Sequence, residues 1–130
     1  MTPMKFKRVW TLIGYGLVGL VVGLSLYPAP PPPEYPWADK VYHMLAYGVL
    51  MLWFAQLHPK SQYRWLVSGF IALGILLEVL QSWSGYRTGD VLDALANSLG
   101  VILSWGLAVR GMNTLLHQIE NLILNPKNEG

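Results

Sequence analysis

Four apolar stretches, each close to the length of a membrane-spanning helix, account for most of this chain. They cover residues 9–27, 41–57, 65–83 and 91–109, the second being the shortest. A helix of ~20 apolar residues crosses about 30 Å of hydrocarbon. Hydrophobic residues make up 53% of the 130 residues and charged residues only 12%, too few to cover a small soluble globule. The sequence therefore predicts an all-α, four-helix transmembrane bundle, a single domain over residues 1–130.

The basic residues are divided unequally between the two sides that these spans define. Lys40 and Arg87 fall on one side, and the other seven fall on the side shared by both termini. Those seven are Lys5, Lys7, Arg8, Lys60, Arg64, Arg110 and Lys127. Because basic loops are retained in the cytoplasm, both termini are predicted to be cytoplasmic.

The composition excludes several other classes of protein. The chain has no cysteine, so it has neither disulfides nor a thiolate metal site. Its net charge of +2 is too small to indicate nucleic-acid binding. The first stretch resembles a signal peptide in its basic start, but it is long and three further spans follow, which predicts that it is retained.

Three segments carry further local expectations. Gly19 and Gly23 form a GxxxG pair, which predicts close packing of the first span against a neighbour. The prolines between residues 28 and 36 predict an extended polyproline II spacer. Beyond Arg110, apolar residues at helical spacing predict an amphipathic cytoplasmic helix, lying on the membrane, on the bundle or on a partner. These residues are Met112, Leu115, Leu116, Ile119, Leu122 and Ile123.

Polar residues beside the apolar stretches fall at one side of the predicted membrane. Successive spans run in opposite directions, so the start of the second, the end of the third and the start of the fourth share a side. The set comprises Asp39, Lys40, His43, Tyr47, Glu78, Gln81, Arg87, Asp90, Asp93 and Asn97. Polar groups in or beside a bilayer are costly, so their convergence predicts a functional pocket facing away from the cytoplasm.

Structural roles compete with this interpretation for individual residues. Asp39 and Asp90 are both candidate helix N-caps, with Asp93 three positions after the second of them. His43 alone is more often a hydrogen-bonded structural histidine, and Asn97 has the chemistry to bridge two helices. None of these roles accounts for Glu78, because a carboxylate inside a span needs a partner or a proton.

The order of these residues resembles the VanZ-like family. The matching pieces are Asp39-Lys40 followed by His43 and Tyr47, then Glu78-x-x-Gln81, then Arg87 with Asp90-x-x-Asp93-x-x-x-Asn97-x-x-Gly100. The resemblance covers roughly residues 37–107, within a domain core at 37–109, and leaves the proline-rich arm and the tail peripheral. It implies a small multi-pass protein of the bacterial cell envelope, in the cytoplasmic (inner) membrane. The family's namesake is associated with low-level resistance to teicoplanin, without a well-established biochemical activity, so the resemblance defines no reaction.

The leading hypothesis is a pocket that binds an amphipathic, lipid-linked envelope component or a glycopeptide-type antibiotic. Lys40 and Arg87 would offer cationic donors to a phosphate or carboxylate of the ligand. Five further residues are expected to complete the binding set: Asp39, Tyr47, Gln81, Asp90 and Asn97.

Two other classes of function stay open. In a membrane-embedded hydrolase or transferase, His43, Glu78 and Asp93 would act as general acid and base on a lipid-linked phosphate or ester. A divalent metal on His43 and the carboxylates fits that class, although the sequence requires no cofactor. In a structural or assembly factor, the charges would orient the helices, in a monomer or a homo-oligomer. A transporter is a weaker option, because four spans leave a narrow lumen.

Overall fold

The computed structural model describes residues 3–27, 35–85 and 90–125, and every regular element in these ranges is a helix. Five α-helices occur in these ranges: α1 Lys7–Leu26, α2 Pro36–Ala55, α3 Tyr63–Ser84, α4 Val91–Val109 and α5 Leu115–Leu124. Short 3-10 turns, Lys60–Gln62 and Met112–Thr114, lead into α3 and α5. The described ranges contain no strand, which confirms the all-α prediction.

Three of these helices are long and apolar enough to cross a membrane. Among the described residues, the segments that qualify are Lys7–Leu26, Lys60–Ser84 and Val91–Val109. Helix α2 also has 20 residues, but Asp39, Lys40 and His43 make its first turns polar. Length and composition therefore support three spans, one fewer than the sequence predicts.

Helix α2 begins five residues before the predicted second stretch. Pro36 occupies its first turn, where a proline loses no helical hydrogen bond because that turn has no acceptor for its missing N–H. The N-cap residue is Tyr35, whose side chain makes no capping bond, so the interpretation of Asp39 as an N-cap is wrong. Asp39 instead lies within the first turn. The proline-rich arm at residues 28–34 lies outside the described residues.

Helix α4 begins at the predicted residue because Asp90 caps it. The Asp90 carboxylate accepts a hydrogen bond of 2.9 Å from the amide of Leu92. Asp93 follows in the first turn, where its negative charge interacts favourably with the helix dipole. The N-cap interpretation of Asp90 is confirmed.

Helices α2 and α4 run parallel and pack more closely than any other pair. A Cβ atom built on Gly100 would overlap the carbonyl oxygen of Met44 and lie 2.9 Å from its carbonyl carbon. One turn further on, a Cβ on Gly48 would lie 3.0 Å from the hydroxyl of Ser104. Small residues let backbones approach, and α4 carries four of them at four-residue spacing: Ala96, Gly100, Ser104 and Ala108. All are buried except Ala96, which is half-buried.

The core lies between α2, α3 and α4, and α1 packs on its outside. The core includes Leu50, Met51, Phe54, Tyr63, Val67, Phe70 and Val101. Gly14, the one buried residue of α1, contacts Phe54 and Trp53. Gly19 and Gly23 are exposed and have nothing within 4 Å of a built Cβ, so the predicted close packing of the GxxxG pair is wrong within this chain.

The amphipathic tail forms α5 and packs against the bundle. The side chain of Gln56 donates to the carbonyl of Met112 at 2.6 Å and accepts from the amide of Leu116 at 3.2 Å. Glu120 is 2% exposed and accepts a hydrogen bond of 2.6 Å from the amide of Phe6. Of the three alternatives for this helix, contact with the bundle is the one that the structure supports.

Candidate functional site

The end of α1, the start of α2, the end of α3 and the start of α4 meet at one end of the bundle, here called the polar end. The amide of Gln81 on α3 donates to the carbonyl of Ser25 on α1 at 2.7 Å. Lys40 on α2 bonds Asp90 before α4, and Asp90 in turn bonds Glu78 on α3. The opposite end, called the base, carries α5 and its contacts with Gln56 and Phe6.

Lys40 joins three aspartates at the polar end. Its ammonium nitrogen lies 2.8 Å from Asp90 Oδ2, 2.5 Å from Asp93 Oδ1 and 3.6 Å from Asp39 Oδ2. Such charge-assisted hydrogen bonds are the stronger ones in proteins. Three carboxylates on one ammonium leave the described part of the polar end acidic. Lys40 is therefore engaged within the protein, unlike the free cationic donor that the sequence predicts.

Asp90 has two roles, as the cap of α4 and as a partner of Lys40. The hydrogen bond from Lys40, aided by the one from the Leu92 amide, lowers the pKa of the Asp90 carboxyl from its ordinary value of 3.8. Both interactions favour the charged form, and the N-terminal end of α4 does so as well. The Asp90 carboxylate thus stays ionised at neutral pH.

His43 is held from one side by Asn97 and faces two carboxylates on the other. Its Nδ1 atom lies 3.0 Å from the amide oxygen of Asn97, which is 2% exposed. An amide oxygen only accepts, so Nδ1 carries the proton and the lone pair of the neutral ring is on Nε2. Nε2 lies 3.7 Å from Asp39 Oδ1 and 3.7 Å from Asp93 Oδ2. The basic nitrogen of His43 is thereby oriented between two aspartates.

Glu78 is buried inside the bundle. Its Oε2 atom accepts a hydrogen bond of 3.0 Å from the amide of Asp90, just before the first turn of α4. The side chain is therefore joined to the other polar residues through the N-terminus of α4, whose dipole favours a negative charge. This contact directs the side chain toward the start of α4.

Tyr47 and Gln81 also lie near the polar end, where Tyr47 lines the same cleft as Asp39 and His43. Tyr47 is buried, with a ring carbon 3.3 Å from a Cβ built on Gly74, so it packs between α2 and α3. Gln81 uses its amide to bond Ser25 of α1. Arg87 lies outside the described residues.

Two clefts run from the polar end along the helices. The one between α1 and α2 has a volume of about 160 Å³, with Asp39 and His43 at its polar end and Val21 and Ala46 below. The one between α3 and α4 has a volume of about 450 Å³. Glu78, Ser82 and Asp90 line its polar end, and Ile75, Val79, Val91 and Leu95 give apolar walls. Each cleft thus combines carboxylates at one end with a hydrocarbon-like surface.

Comparison with known protein families identifies the chain. A family model described as VanZ/LLP1 matches residues 4–116. The chain belongs to the VanZ/LLP1 family. This confirms the resemblance and extends it to α1, the proline-rich arm and the start of α5, beyond residues 37–107. Searches of curated proteins and of solved structures gave no match.

The sequence analysis of this VanZ/LLP1-family chain missed two contacts, that of Gln81 with Ser25 and that of Glu120 with Phe6. Ser25 contributes only a backbone carbonyl, which any residue type would supply. Glu120 offered a signal, because it lies one helical turn after Leu116, on the apolar face of α5, where an acid needs a buried partner.

Proposed function

We propose that this member of the VanZ/LLP1 family crosses the bacterial cytoplasmic membrane four times, with both termini in the cytoplasm and the polar end facing out. The base carries Lys60 and Arg110 with the basic N-terminal residues, which supports this orientation. Helix α2 packs closely against α4 and runs parallel to it, which supports α2 as a further span beside α1, α3 and α4. Its polar first turns then lie at the outer membrane–water interface.

At the polar end the protein binds the head of a lipid-linked envelope component. The cleft between α3 and α4 carries this proposal, because Glu78 and Asp90 lie where its apolar walls meet the interface. An amphipathic ligand places its chain against Val79 and Leu95 and its head against the carboxylates. The cleft, about 450 Å³, falls within the range of small-molecule sites.

The charge of the polar end restricts the chemistry of that head. Lys40 already contacts three aspartates, so the described residues offer acceptors in excess of donors. Hydroxyl and amino groups, such as those of an amino sugar, donate to carboxylates. We therefore favour a glycosylated or amine-bearing head, with Arg87 as the residue to meet any linking phosphate.

Native mass spectrometry of the protein extracted with its lipids tests this assignment. The wild-type protein should retain one headgroup class, and Glu78→Gln should lose it, because an amide presents one acceptor oxygen in place of two. Glu120→Gln, at the buried acid of the base, is the matched control and should retain the lipid. No retained class, or equal retention in all three proteins, refutes binding at this cleft.

In cells, the same proposal predicts increased tolerance to teicoplanin-type antibiotics. Cells that express the wild-type chain should tolerate more glycopeptide than cells that express Glu78→Gln at equal membrane abundance. Equal susceptibility of both strains would separate this chain from the phenotype of the family's namesake.

A hydrolase or transferase is the second candidate, favoured by the orientation of His43. Asn97 holds Nδ1, and Nε2 is directed toward the side where Asp39 and Asp93 lie. A general base needs this arrangement, with one nitrogen fixed and the other accessible. Turnover of a lipid-linked phosphate or ester that is lost in His43→Gln but kept in His117→Gln would favour it over simple binding.

A further inference from the structure

We propose that Asp39, His43 and Asp93 bind one divalent transition-metal ion, with Zn²⁺ and Mn²⁺ as the fitting ions. Each residue presents one donor atom, and these three atoms lie within 4.8 Å of one another. The inference concerns the polar end but does not depend on the lipid-binding proposal.

The distances suit ligands that share one ion. His43 Nε2 lies 3.7 Å from the nearest oxygen of Asp39 and of Asp93. Two ligands on one Zn²⁺, each with a bond of ~2.1 Å, lie roughly 3 to 3.5 Å apart. At 3.7 Å, His43 Nε2 is too far from either carboxylate oxygen for a hydrogen bond, yet a small side-chain rotation would bring all three atoms to bonding distance of a central ion.

The other atoms of the same side chains are already held. Asn97 bonds His43 Nδ1, and Lys40 contacts Asp39 Oδ2 and Asp93 Oδ1. Metal-binding histidines commonly donate their second nitrogen to such an acceptor, which fixes the tautomer that leaves Nε2 free to bind. The three side chains are thus oriented by neighbours that do not compete for the donor atoms.

Among the described residues, none makes a hydrogen bond to the three donor atoms, Asp39 Oδ1, His43 Nε2 and Asp93 Oδ2. Asp93 is only 7% exposed, and the Asp39 and Asp93 oxygens lie within 4.8 Å of each other, where two carboxylates repel. A cation between the three atoms offsets that repulsion. It also compensates the excess of the three aspartates over Lys40.

The site is accessible, and its donor set limits the ion. Asp39 and His43 line the cleft between α1 and α2, whose volume of about 160 Å³ leaves room for a water or a ligand atom as a further donor. Imidazole favours Zn²⁺ and its neighbours in the transition series, and carboxylates extend the choice to Mn²⁺. Mg²⁺ and Ca²⁺ prefer sites built from oxygen alone.

The test uses the full chain, free of any affinity tag, in phosphatidylcholine nanodiscs. Isothermal titration with Zn²⁺ and with Mn²⁺ should give one site per chain for at least one ion. His43→Gln and Asp39→Asn should each weaken that site by at least the ~10–100-fold typical of losing an outer-shell partner. His117→Gln removes a histidine at the base and should leave the site unchanged.

Two further measurements separate loss of the site from loss of the fold. Asp39 is half-exposed, and its ionic contacts with described residues are long, at 3.6 and 3.7 Å, so Asp39→Asn should melt at the wild-type temperature while binding the ion weakly. X-ray absorption of the Zn²⁺-loaded protein should show one imidazole nitrogen, which is lost in His43→Gln. No stoichiometric site for either ion, or equal affinity in wild type, His43→Gln and Asp39→Asn, overturns the proposal.

Discussion

Substituting Gly100 by alanine should separate the two helices that build the polar end. The added methyl would overlap the carbonyl oxygen of Met44 and lie 2.9 Å from its carbonyl carbon, where ordinary contacts begin at 3.4 Å. Because the obstacle is main chain, no side-chain rotation relieves it, and α2 must move away from α4.

The expected size follows from two opposing effects. Overpacking of a tight contact costs about 1–3 kcal/mol. Alanine gains about 1 kcal/mol over glycine in helix propensity. A clash with backbone belongs at the upper end of the first range, so Gly100→Ala should lose about 2 kcal/mol of stability.

Gly106 provides a matched control on the same helix, because nothing lies within 4 Å of its built Cβ. Gly106→Ala should be neutral or gain up to about 1 kcal/mol. Reversible SDS titration in mixed micelles, followed by circular dichroism, measures both variants. If Gly100→Ala is as stable as wild type and Gly106→Ala, the close approach of α2 and α4 is not present in the protein.

The remaining predictions concern the cap of α4 and the attachment of α5. Asp90→Asn keeps a capping side chain and Asp90→Ala does not, so the melting temperature at pH 7 should fall further for Asp90→Ala. Since Lys40 lowers the folded-state pKa of Asp90 from 3.8, its contribution to stability is complete above that value and is lost as pH falls through the lower folded-state pKa. Between pH 5 and pH 2, the melting temperature should therefore fall less steeply for Asp90→Asn than for wild type. Gln56→Ala leaves the Leu116 amide and the Met112 carbonyl without their partner, so the free energy of unfolding should fall by about 1–3 kcal/mol. Hydrogen exchange of the α5 amides should become faster, and an unchanged exchange rate would contradict the contact.

The helices were predictable from sequence because their causes are local. Apolar runs predict α1, α3 and α4, and Asp90, as an N-cap, predicts the first residue of α4. The start of α2 was harder to predict. Prolines before it favour an extended chain, but the last of them, Pro36, is equally suited to the first turn of a helix, and the sequence does not separate these uses.

The candidate site was predictable in its membership more than in its charges. Alternating span directions place Lys40, Glu78 and Asp93 at one end, which follows from length and polarity alone. Which atoms pair depends on the rotation of each helix about its axis, set by contacts such as Gly100 against Met44. The capture of Lys40 by three aspartates and the partnering of His43 with Asn97 follow from those rotations.

The hydrogen bond from the Phe6 amide to Glu120 also bears on how α1 is held in the bundle. It joins the residue before α1 to α5, two segments far apart along the described chain. Helix α1 has one buried residue, Gly14, while α2, α3 and α4 share the core. Loosening of α5 would therefore also loosen the start of α1, while the core between the other three helices stays packed.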